Sequence, residues 1–276
     1  MISRGERAAN YLILFAFATF AIWPVLTILA AALGPDDSAA AAAAPGAGLL
    51  GLHPENFAAA WRQGRFGQSM LTSVAVSAFV VACATVLSVM SGYAFGTMTF
   101  RGRNVLFYLF LLGIMVPAEA IVVPLYFDLR TLGLTDTFWA IALPQVAQSI
   151  AFGTFWMRAY FRASSVSLAE AARLDGAGSW AILWRILVPI GRPAVTTLVV
   201  LTFMWTWNEF LIPLVMATSE ELRTAPLGLA FFQGQYTSGF TLLAAGAVIV
   251  AAPVVILYVF LQRRFIQGML EGAVRE

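Results

Sequence analysis

Two carboxylates interrupt long apolar runs in this 276-residue chain: Glu119, within Met115-Val116-Pro117-Ala118-Glu119, and Glu209, within Trp205-Thr206-Trp207-Asn208-Glu209-Phe210. An ionisable group at bilayer depth costs at least about 2.5 kcal/mol and therefore faces a cavity or a partner. Amides accompany the acids. Gln145, Gln148 and Ser149 follow Pro144 at a spacing that places them on one helical face, and Asn208 adjoins Glu209. Amides and carboxylates offer paired donors and acceptors to a hydroxyl-rich ligand, and the indole of Trp205 offers a flat surface for stacking. Asn208, Glu209, Trp205, Gln145, Gln148 and Glu119 are thus candidates for lining a solute pathway. The competing expectation is that they hydrogen-bond between helices or anchor at the lipid interface. Glu119, toward the outer end of its run, would then meet water or an external partner.

Bond-making chemistry finds little to work with. All sixteen basic residues are Arg. A phosphate-binding loop of the Walker type needs a lysine, so any ATP that drives this chain must bind elsewhere. The missing lysine also removes Schiff-base catalysis. His53 and Cys83 are single representatives of their types, which excludes an intramolecular disulfide and leaves no His/Cys metal cluster to assemble. No catalytic residue and no cofactor in this chain are expected, and nothing in its dispersed charge, net +2, suggests nucleic acid.

The elements that would carry these residues are membrane spans. Composition is 61% hydrophobic and 11% charged, against about 25% charged in a soluble domain. Apolar runs at residues 11–33, 70–96, 105–126, 138–157, 194–217 and 241–261 predict an all-α membrane protein with six transmembrane helices in one domain. The first is too long for a signal peptide's apolar region of about 7 to 15 residues and reads as an uncleaved helix. The stretch after it, with Asp36, Asp37, the Ala39–Ala44 tract and Pro45-Gly46, reads as a surface loop. With the N-terminus inside, twelve arginines fall on the cytoplasmic side and only Arg62, Arg65, Arg130 and Arg223 outside, which satisfies the positive-inside rule and makes both termini cytoplasmic.

One polar interruption, between the fourth and fifth runs within residues 162–193, has its own helical grammar. Ser167 and Glu170 form a capping-box pattern, so a helix is expected from Leu168 to about Asp175, with Gly176 supplying the positive φ beyond its end. Ser179 is placed to cap a second helix, whose Trp180, Leu183, Trp184 and Leu187 share one face until Pro189 ends it. Two short cytoplasmic helices would meet at a glycine.

That segment resembles a known one. Glu170-Ala171-Ala172, then Asp175-Gly176, nine residues, Ile186 and Val188-Pro189 are similar to the EAA loop of ABC import permeases, the coupling helix that docks on a separate ATPase. Val188 stands where the family often has Leu. Further stretches resemble the maltose-type carbohydrate permeases nearly end to end: Tyr93-Ala94-Phe95, Phe100-Arg101-Gly102-Arg103, Met115 to Glu119, Leu132 to Thr137, Trp207 to Phe210 and Ala225 to Leu229. Gln68-Ser69 and Ser165-Val166 replace the family's usual Asn-Ser and Ile-Pro.

The resemblance implies a bacterial inner-membrane subunit whose coupling residues are Glu170, Ala171, Ala172, Asp175, Gly176, Ile186 and Pro189. It also implies the partners: a second homologous permease, an ABC ATPase dimer carrying ATP and Mg, and an extracytoplasmic solute-binding lipoprotein. The solute would be a sugar or sugar derivative, with glycerol-phosphate esters as a recurrent alternative. A proton-coupled carrier using Glu119 and Glu209 is the competing transport reading, and it leaves the 167–189 pattern without a purpose.

Overall fold

The computed structural model describes residues 4–35, 52–163, 166–235 and 240–273, and every element among them is helical. The expected loop with the alanine tract, Ser165 and the tail at Val274 and Arg275 lie outside the described residues. So do the side chains of Ser167, Arg263 and Arg264. The chain divides into two compact units, Met1–Gly67 with Gly228–Ala252, and Gln68–Leu227 with Pro253–Glu276.

In the first unit, α1 (Arg4–Ala32) is apolar all round and almost wholly exposed, with Phe20 80% accessible. That surface suits lipid, where every backbone polar group must be satisfied within the helix. Its end is closed from α2 (Glu55–Gln63), where Asn56 Nδ2 donates to the carbonyls of Ala32 at 3.1 Å and Gly34 at 2.9 Å. Phe66, at the start of α3 (Phe66–Thr97), is fully buried, its ring 5.8 Å from that of Phe232.

The second unit is built around α6 (Phe138–Ala163), which packs against α4 (Arg103–Met115), α10 (Arg192–Asn208) and α11 (Leu211–Met216). Its buried residues run round the helix, from Ala140 through Gln145, Ser149 and Met157 to Phe161. A helix surrounded by others has room for a polar stripe, and Gln145, Gln148 and Ser149 dilute its apolar character. Among the described residues, the helices long and apolar enough to cross a membrane alone are α1, α3 and the first part of α13 (Phe240–Ala273), and α6 is not one of them.

Two expected spans are broken. The 105–126 run is two helices, α4 and α5 (Ala118–Thr131), bent by 98°. Pro117 has no N–H to continue the ladder and holds Val116 extended at ψ 120°. The 194–217 run stops at Asn208 and resumes at Leu211. Here Pro213 lacks the N–H that would pair with Glu209, and its ring would strike that carbonyl. One apolar cluster packs Val76, Val80, Ile141, Val146, Ile212 and Met216. A second packs Tyr93, Met157, Phe161, Ile182, Leu183 and Leu198.

After α11 the chain is tied down by polar contacts within the same unit. Asp136 Oδ1 accepts from the Thr218 and Ser219 N–H groups, both at 2.9 Å, and the Asp136 N–H donates to Met216. The Ser219 and Thr218 N–H groups hold this carboxyl below the usual aspartate range. Gln68 and Thr72 donate to the Glu221 carbonyl, and Ser73 accepts from Ala225 at the start of α12 (Ala225–Gln235). Gln68, an unusual residue for its position in the resemblance, therefore has a defined partner.

Candidate coupling segment and polar pocket

The 167–189 segment folds as two short helical pieces around Gly176. α7 spans Val166–Leu174, so Ser167 lies inside the first turn and is not the residue before it. The helix end matches expectation in detail. Gly176 has φ +82°, its N–H donates to Arg173 at 3.0 Å, and the Ala177 N–H reaches back to Ala172 at 2.9 Å. This pair of bonds is a Schellman motif, which satisfies carbonyls the helix leaves open.

The second piece departs from expectation. α8 (Ser179–Ala181) is preceded by Gly178 with no side-chain cap, so Ser179 does not cap it. Helix then continues as a π-turn, Ile182–Leu187, into α9 (Val188–Ile190), which contains Pro189 and ends at Gly191. A proline has no N–H to give and clashes with the carbonyl four residues back, here Arg185; widening the preceding turn is one way a helix accommodates it. The buried face is correspondingly Ile182, Leu183 and Leu187, while Trp180 is 64% exposed. Expectation had put Trp180 on the packed face; a regular 3.6-residue repeat does not survive a π-turn.

Of the expected coupling residues, Glu170, Ala171, Asp175 and Gly176 are exposed, and Ile186 and Pro189 are partly buried. Ala172 is turned inward with Ala169, so only Ala171 of the alanine pair faces outward. Leu174, 90% accessible, is also exposed on this segment, as are Leu168 and Trp180. Behind it, Gly191 marks an 81° bend into α10. A Cβ there would lie 2.6 Å from the Tyr160 ring, and Trp156 donates to the Ala194 carbonyl at 3.0 Å. Two aromatics of α6, one turn apart, thus grip the joint. The sequence pattern around Gly176 gave no hint of them; their i, i+4 spacing was the available signal.

Five of the six pathway candidates come together. Gln145, Gln148, Trp205, Asn208 and Glu209 line an open pocket of about 410 Å³ between α6 and α10. Gln145 is 4% exposed and donates to Ile141 at 3.0 Å, which leaves its Oε1 buried without a partner. Asn208 donates back to the Met204 carbonyl at 2.7 Å. Glu209 Oε1 accepts from the Ile212 N–H at 3.0 Å, so this carboxylate caps α11 as well as facing the pocket. The Trp205 ring is half exposed and braced edge-on by Phe152, centroids 4.7 Å apart. Glu119 stands apart, exposed in the first turn of α5. An orphan acceptor, a carboxylate and a braced indole around one cavity suit a neutral, hydroxylated ligand.

Comparison with known proteins bears on the same region. The family described as binding-protein-dependent transport system inner membrane component matches residues 84–271. The probable ABC transporter permease protein YurM of Bacillus subtilis is 37% identical over 81% of this chain and 74% of its own length. The arabinooligosaccharides transport system permease protein AraQ of Halalkalibacterium halodurans is 36% identical over 74% and 72%. Among solved structures, a bacterial ABC transporter that imports the acidic polysaccharide alginate superposes with a TM-score of 0.77 at 25% identity, covering 96% of this chain and 99% of the other.

Proposed function

The chain belongs to the binding-protein-dependent transport system inner membrane component family, and on that premise we propose that it forms half of the translocation pathway of an ATP-driven importer for a carbohydrate or sugar derivative. It is a transporter subunit and not an enzyme. The observation that carries the coupling role is the two-faced segment from α7 to α9. Its exposed tip offers Leu168, Leu174 and Trp180 to another protein, while Ala169, Ala172, Ile182, Leu183 and Leu187 are packed against α6 and α10.

A load applied to the tip passes through that packed face to the helices that line the pocket, because a close-packed core transmits displacement and does not absorb it. ATP and Mg would bind a separate ATPase dimer, a second permease would supply the other half of the pathway, and a solute-binding protein would deliver the sugar from outside. The termini would be cytoplasmic. Two relatives that transport carbohydrates, and a pocket of acceptors beside an indole, support a sugar over a glycerol-phosphate ester. The test is mild extraction of the tagged chain from its native membrane and identification of what copurifies. Recovery of an ATPase, a second permease and a solute-binding protein is expected. Recovery of the chain alone would overturn the reading in favour of a carrier.

A further inference from the structure

Three arginines gather where α3, α4 and α6 meet. Arg158 Nε donates to the Phe95 carbonyl at 3.4 Å, and its guanidinium carbon lies 3.7 Å from the centre of the Phe107 ring. Arg103 donates to the Gly96 carbonyl, also at 3.4 Å. Both acceptors belong to the last turn of α3, where carbonyls have no onward helical N–H, so the two side chains close a helix end that attracts cations.

That task leaves donors over. A guanidinium carries five N–H groups, and Arg103 Nε is buried with no partner. Arg162, one turn beyond Arg158 on α6, is exposed and has no hydrogen-bond or ion-pair partner among the described residues. No carboxylate pairs with any of the three among those residues. Burial, then the charges of Arg162 and Arg103, hold the Arg158 guanidinium below its ordinary value. The positive charges are therefore close enough to feel one another and, among the described residues, are not neutralised.

Their setting indicates what neutralises them. A shallow cleft of about 420 Å³ opens beside Arg103, lined also by Thr99, Phe100 and Asn104. From its edge α4 continues with an exposed apolar surface at Val105, Tyr108, Leu109 and Leu112. Cationic groups at the end of a lipid-facing apolar stripe match an amphipathic anion in both halves. We propose that Arg103 and Arg162 bind the phosphate of an anionic phospholipid at the same membrane face as the coupling segment, with acyl chains along α4. A phosphodiester satisfies the leftover N–H donors by charge-assisted hydrogen bonds, and a basic site between helices at the membrane edge recruits such headgroups. The inference rests on the membrane reading of α4 and is independent of which solute is carried.

The experiment counts lipids. The tagged chain, purified with whatever subunits accompany it, is mixed with phosphatidylglycerol or phosphatidylcholine, and retained lipid is measured by native mass spectrometry. Phosphatidylglycerol should be retained preferentially. Arg162→Gln, which removes no described contact within the chain, should weaken that retention about fivefold, as should Arg103→Gln, while Arg62→Gln on α2 should not. Equal retention of both lipids, or indifference to Arg162→Gln, overturns the proposal. So does complete displacement of lipid by millimolar inorganic phosphate, which would assign the site to a soluble anion. Preference seen only when an ATPase subunit is stripped away also overturns it, since an acidic protein surface would then be the native occupant. Uptake is not read, so failure here leaves the transport assignment standing, and the reverse.

Discussion

Single side chains in the pocket hold two jobs apart that stability and transport measurements can separate. Gln145 Oε1 is a buried acceptor without a partner, so replacing Gln145 by Leu removes a desolvated, unpaired oxygen, which offsets the loss of the one bond that its Nε2 makes to the Ile141 carbonyl. Thermal stability of Gln145→Leu should be unchanged or slightly higher, while sugar uptake by the assembled transporter falls about five- to tenfold, the worth of one hydrogen bond. Glu209 is the opposite case. Its Oε1 caps α11 through Ile212, so Glu209→Ala should destabilise by about 1 kcal/mol, whereas Glu209→Gln keeps the acceptor and removes only the charge. Parallel thermal unfolding and uptake assays on the three variants check this. If Gln145→Leu transports normally, that side chain does not contact the solute. The residue types were legible in sequence, but the orphan oxygen and the cap were not: the first depends on what packs against α6, and the second on a helix break between Asn208 and Leu211 that hydropathy does not mark.

At the scale of elements, the joint around Gly176 is the testable part. A Cβ at Gly176 would meet nothing within 4 Å, so the only cost of a side chain there is its φ of +82°, about 1–2 kcal/mol for an ordinary residue and more for a β-branched one. Gly176→Val should insert into the membrane normally yet lose most coupled transport, and Gly176→Asn, whose side chain tolerates this conformation, should recover much of it. Uptake and ATPase activity measured together provide the check; full coupling in Gly176→Val would remove the joint from the mechanism. The helix end here was readable because a Schellman motif is local. The second helix was misread at Ser179, which lies inside it behind Gly178, and at Trp180, since the π-turn that carries the chain past Pro189 changes the repeat and a 3.6-residue pattern assumes no such turn.

For the whole molecule, the arginine distribution predicts sidedness. With Cys83 replaced by Ser, a single cysteine at Arg173 should react with a membrane-impermeant maleimide only from the cytoplasmic side, and one at Arg223 only from outside. The reverse pattern would invert the topology and take the coupling segment away from any cytoplasmic ATPase.

The sequence by itself determined the helical class, the apolar runs, the interruption at 167–189 and the residues worth watching, because each is written in composition or short-range spacing. Tertiary structure decided the rest. It brought Gln145 and Gln148 opposite Trp205, Asn208 and Glu209, separated by more than fifty residues, and left Glu119 outside. It also broke two apolar runs beside prolines, at Pro117 and ahead of Pro213, and set Trp156 and Tyr160 against the joint at Gly191. The physical reason is that hydropathy reports how much apolar surface a segment has. Which neighbour that surface meets is settled only when helices far apart in the chain pack together.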